Sequence, residues 1–141
     1  LISRAPFDTI EPMPTPRRVV TSTNAPAPVA AYSQAIASGD LLFCSGQIAI
    51  DPQTGQMVQG GIEAETEQVL KNLQAVLTAA GASLADVVKT TVYLADFSEF
   101  TAMNAIYVRA FASEPPARAT VGVAALPRGA KIELEAIARL P

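Results

Sequence analysis

The apolar positions between residues 62 and 81 recur every three to four residues, which predicts a long helix with one buried face. Ile62, Thr66, Val69, Leu70, Leu73, Val76, Leu77 and Ala80 form its stripe. Glu63, Glu65 and Glu67 crowd the first turns, where the helix dipole favours anions. Gly81 is placed to end the helix in the left-handed conformation. A shorter stripe runs through SEFTAMNAIYVRAF, residues 98–111. Here Phe100, Met103, Tyr107, Ala110 and Phe111 face inward, with Ser98 as the expected cap. The two prolines after Glu114 stop this helix.

The remaining apolar runs are short and rich in β-branched residues, as strands are. RRVVTST reads as a short strand, and residues 31–50 as two strands around the turn Ser38-Gly39-Asp40. The second of these alternates so little that burial on both faces is expected. DVVKTTVYLAD, ARATVGVAAL and KIELEAIARL complete the set, the last two separated by the turn LPRGA. The order β-β-β-α-β-α-β-β contains strand-helix-strand twice in succession. That predicts parallel neighbours, right-handed crossovers and both helices on one sheet face. The other face remains apolar and uncovered. Exposing it would cost about 25 cal/mol per Å², so an oligomer packed through the sheets is expected. Residues 1–16 carry four prolines and no periodicity. They read as an extended arm or tail before a single domain over 17–141.

Composition narrows the chemistry. Half of the residues are apolar and 16% are charged, which suits a compact fold and not a disordered chain. A net charge of -3 argues against nucleic acid as the main partner. No apolar run is long enough to span a membrane. The single cysteine, Cys44, excludes an internal disulfide and fits a reducing compartment, so a cytoplasmic location is expected. A targeting segment upstream stays open, because the chain starts without methionine. With no histidine, Ser-His-Asp and Cys-His chemistry is removed, as are most catalytic zinc sites. Acid-base work falls to Glu, Asp, Lys, Tyr or Cys, and anion binding to Arg, Lys or backbone N–H groups.

Two stretches put charge where apolar residues dominate. In PPARATVGV, Arg118 enters what otherwise reads as a buried strand; its planar fork can grip a carboxylate, or pair with a surface acid. In KIELEAIA, Glu133 and Glu135 share one side of a strand, either buried with compensation or facing solvent. Asn104 sits mid-helix among apolar residues, exposed or turned inward toward a partner.

AAYSQAI, FCSGQIAIDPQTG, VVKTTVYLAD and PPARATVGVAALPRGAKIELEAIA, in that order, resemble the RidA family from about Arg17 onward. The resemblance implies an α+β fold similar to Bacillus chorismate mutase: a six-stranded mixed sheet with two helices on one face. The last strand would insert, antiparallel, between the strands preceding the two helices. It also implies a homotrimer, a barrel of sheets with three clefts between subunits; by the short apolar runs, no membrane partner is expected. The implied activity is hydrolysis of 2-iminobutanoate and 2-iminopropanoate, or their enamines, to 2-oxo acids and ammonia, without cofactor or metal. By the same resemblance Arg118 binds the substrate carboxylate and Glu133 holds and activates water. Tyr32 and Ser45 join the cleft, and Gly46 offers a backbone N–H. Asn104 and Thr120 complete the substrate contacts; Thr120 stands where many bacterial members carry cysteine, so no reactive thiol is available there. Cys44, on the opposite strand face from Ser45, reads as a small buried hydrophobe. Two other classes stay open: a 2-oxo acid-binding regulatory protein, and a ribonuclease or translation inhibitor.

Overall fold

The structure is a computed structural model that describes residues 16–141. The arm read at residues 1–16 therefore lies, apart from Pro16, outside the described residues. The strands are β1 (Arg18–Val20), β2 (Ala35–Ser38), β3 (Leu41–Gln47), β4 (Val87–Leu94), β5 (Ala117–Gly122) and β6 (Ile132–Arg139). The helices are α1 (Gly61–Ala79) and α2 (Phe100–Ala110). All six strands form one mixed sheet in the order β1-β2-β3-β6-β4-β5.

Strand periodicity gives the elements, but β3 and β4 are not the parallel neighbours that it suggested. β6 runs between them, antiparallel to both, and only β4 and β5 pair in parallel. The alternation of β6 explains why it fits the centre. Ile132, Leu134, Ala136 and Ala138 are buried, while Glu133, Glu135 and Ile137 on its other side are half-buried. Its partner β4 repeats the pattern, with Thr90, Val92 and Leu94 buried.

The buried set packs against α1 and α2. Ile62, Thr66, Val69, Leu70, Leu73, Val76 and Leu77 of α1 are all buried, as its stripe predicts. Gly81 follows the helix at φ +80, the left-handed conformation that a glycine adopts without steric cost. The second helix departs from expectation at its start. Ser98 lies inside a short 3-10 turn, Phe97–Glu99, and donates its backbone N–H to the carboxylate of Asp96 at 2.9 Å. Asp96 therefore caps that turn, which leads into α2, and hydrogen bonds from Ser98 hold its carboxyl below the usual range.

The sheet's other face is open in the single chain. Phe43 on β3 is 44% exposed and Val121 on β5 is 41% exposed. β3 is thus buried on one face only, not on both, because no second layer of this chain covers it. For the same reason β5, an edge strand, is half-buried to exposed throughout and is not the buried strand its composition suggested.

Candidate active site

The sequence candidates collect into two groups. The first is built on an irregularity between β3 and β6. Cys44 pairs with Ala136 and Gln47 with Leu134, so Ser45 and Gly46 together oppose Glu135 as a bulge. The bulge lets the Glu133 side chain lie over Gly46. A Cβ on Gly46 would sit 2.9 Å from Cδ of Glu133, so a larger residue there would push that carboxylate aside. Ser45 donates its N–H to the Gln34 carbonyl at 3.0 Å and its hydroxyl to the Ser33 carbonyl at 2.5 Å. Its hydroxyl proton is thereby engaged, which leaves its oxygen to act as an acceptor. Tyr32, 47% exposed, completes a cavity of about 340 Å³ that Ser45, Gly46 and Glu133 also line. Ile48 and Ile50 add an apolar wall, and Arg128 a second charge.

Glu133 is the electrostatic centre of this group. Burial first, and then the neighbouring Glu135 carboxylate, push its carboxyl above the usual range. Glu135 itself accepts a hydrogen bond from the Tyr93 hydroxyl at 2.8 Å. That bond, ahead of burial, raises the Tyr93 phenol. Cys44, on the buried side, has its thiol pushed up to about 12 by burial, and it is the inert small hydrophobe that the sequence suggested.

The second group lies under α2. Arg118 pairs in register with Thr90, and so projects from the helix side of the sheet. It donates to Oδ1 of Asn104 at 2.7 Å. Its guanidinium carbon stands 4.5 Å from the centroid of the Tyr107 ring and 5.5 Å from that of Phe100. Tyr107 is locked by a hydrogen bond of 2.7 Å between its hydroxyl and that of Thr90. Two residues along β5, the Thr120 hydroxyl is buried and has no partner among the described residues. Arg118, Asn104 and Tyr107 line a second cavity of about 480 Å³. Among the described residues, no carboxylate forms a salt bridge with Arg118. Most of its donors remain available to an anion.

The two groups are not one cavity. Glu133 pairs with Tyr93 on the open face, whereas Arg118 pairs with Thr90 on the helix face. The two positions are separated by about 10 Å along the strands and by about 10 Å across them, and they point to opposite sides of the sheet. Sequence reading singled out neither Tyr107 as a platform for Arg118 nor Arg128 as a neighbour of Glu133. Tyr107 lies three residues after Asn104, on one helix face, and that spacing was a usable signal. Arg128 sits in the LPRGA turn at φ +57, and nothing in that turn's composition marks it. No cluster of His, Cys, Asp and Glu suited to a metal ion occurs among the described residues.

A family described as Endoribonuclease L-PSP matches residues 22–140, a span holding both groups. Reactive Intermediate Deaminase A of Arabidopsis thaliana, a chloroplastic protein, is 48% identical over 88% of this chain and 66% of its own length. The chain belongs to the RidA family. A second RidA-family relative, the 2-iminobutanoate/2-iminopropanoate deaminase of Rattus norvegicus, is 50% identical over 86% of this chain and 89% of its own length. Among solved structures, E. coli TdcF with bound serine superposes with a TM-score of 0.84 at 34% identity, covering 88% of this chain and 99% of that one. The mixed α+β sheet of this RidA-family chain is thus shared with a protein that holds a small amino acid. No helix among its described residues is long and apolar enough to cross a membrane.

Proposed function

We propose that the protein is a 2-iminobutanoate/2-iminopropanoate deaminase, active as a homotrimer whose sites each combine Arg118 of one copy with Glu133 of the next. The observation that carries the reading is the pair of complementary half-sites. One holds an arginine with spare donors, the other a half-buried carboxylate with a raised pKa, and within one chain they face opposite ways. In a 2-imino acid the reacting carbon is bonded to the carboxylate carbon, so both groups must reach one small molecule. Joining copies through the open sheet face, in the barrel similar to Bacillus chorismate mutase, brings them together. That assembly also covers Phe43 and Val121. Identity near one half to a relative named for this activity supports the same reading.

In this reading Arg118, braced by Asn104 and Tyr107, fixes the substrate carboxylate, and the Thr120 hydroxyl gains the partner that it lacks. Glu133 takes a proton from a water as its oxygen bonds to the imine carbon and the C=N π pair moves to nitrogen. The carbinolamine then collapses: the proton held by Glu133 and the hydroxyl proton both pass to nitrogen, the C–N bond breaks with its electron pair on nitrogen, and ammonia departs as the C=O bond forms. Imine plus water gives 2-oxo acid plus ammonia, so the atoms balance. The Ser45 and Gly46 bulge and Tyr32 shape the water side. A single domain over 17–141 and a cytoplasmic setting complete the proposal.

A pyridoxal-phosphate dehydratase releasing 2-iminobutanoate, with semicarbazide as competing trap, tests it. The protein should cut semicarbazone formation and leave total 2-oxobutanoate unchanged. Equal trapping with and without protein would instead favour a 2-oxo acid-binding role. The family description names an endoribonuclease, but a net charge of -3 gives little hold on a polyanion.

A further inference from the structure

Residues 21–34 carry Tyr32 to the water side of the site, yet they contain no strand or helix. Such a segment must satisfy its inward carbonyls by other means. One side chain does most of this. Gln34, 3% exposed, accepts from the Ser22 N–H at 2.6 Å. Its amide nitrogen donates to the carbonyls of Pro26 at 2.8 Å, Ser22 at 3.1 Å and Ala25 at 3.4 Å. The two N–H groups are thus shared among three carbonyls, and the oxygen accepts one bond. The same residue's own carbonyl accepts from the Ser45 N–H, and the adjacent Ser33 carbonyl accepts from the Ser45 hydroxyl. Gln34 is therefore the point where the segment bearing Tyr32 is fastened to the bulge bearing Ser45 and Gly46.

We propose that Gln34 is a positioning residue for the reaction, holding Tyr32 and Ser45 in register with Glu133 through its buried amide. The proposal rests on the deaminase reading for its kinetic consequence, but not for its structural one. Displacement by about 1 Å costs on the order of 100-fold in rate when groups must be aligned. The carboxylate anchor, Arg118, is held by Asn104 and Tyr107 and not by Gln34, so it should be untouched. Gln34→Met keeps the length and removes every amide hydrogen bond; Gln34→Asn keeps the amide and retracts it by one methylene.

Both variants are to be measured well below their unfolding midpoints, per folded site. Expected for Gln34→Met is a fall in kcat of about 10- to 100-fold with inhibition by 2-oxobutanoate changed less than threefold, and partial recovery in Gln34→Asn. Its loss should not add to that of Ser45→Ala, because both act on one arrangement. A second readout is independent of activity. The chain has three tyrosines, so fluorotyrosine labelling gives three fluorine resonances, assignable by Tyr→Phe changes. In Gln34→Met the Tyr32 signal should shift or broaden while those of Tyr93 and Tyr107 stay. An unmoved Tyr32 signal, additive losses, or failure of both variants to fold would overturn the proposal. A moved Tyr32 signal in a protein whose wild type has no imine-clearing activity would leave the positioning intact and remove the deaminase reading.

Discussion

Glu133 shows how one residue can oppose stability and serve chemistry. Burial and the Glu135 charge raise its carboxyl, so the fold favours the protonated form. A group raised in the folded state contributes stability below its unfolded pKa, about 4.3 for Glu, and loses it as pH rises through the folded value. At neutral pH its charge therefore destabilises the protein. Glu133→Gln should raise the melting temperature at pH 7, and the gain should vanish on titrating toward pH 4; an equal gain at both would mean that the carboxylate charge is not its cause. Activity should fall on the order of 100-fold or more in this variant. In the wild type, kcat/KM should decline as pH drops through the raised carboxyl. Arg118 and Glu133 were visible in the sequence because each interrupts an apolar run. Gln34 was not, since a glutamine among prolines and alanines reads as loop surface, and its burial follows from carbonyls that the folded segment alone brings together.

Among the elements, the bulge in β3 carries the most consequence. Gly46→Ala requires no forbidden backbone angle, so its effect is steric: the new Cβ meets the Glu133 carboxylate. The change should lower unfolding free energy by about 1–3 kcal/mol in urea titration and activity by more than tenfold. A neutral result would mean that Glu133 moves away at no cost. The helices were legible because a period of 3.6 over many residues leaves little choice. Strand identities were legible too, but not strand order. Nothing in the alternation of KIELEAIARL says which strands it lies between; that came from the family motifs. The bulge and the Asp96 cap depend on pairing and local hydrogen bonds, which periodicity does not encode.

For the whole molecule, the half-sites give a decisive test. Arg118→Ala and Glu133→Gln chains should each be nearly inactive alone. Unfolded together and refolded as a mixture, they should regain about a quarter of wild-type activity, since a site is whole only where each copy supplies its intact half. If both groups served one chain, mixing would restore nothing.

The placement of β6 also shapes how the protein is made. Until residues 132–139 emerge from the ribosome, β1-β2-β3 and β4-β5 are separate ribbons, each with an unclaimed edge. The nascent chain must carry both through synthesis without completing either, and such edges attract the wrong strands. A truncation before Ile132 should therefore yield inclusion bodies.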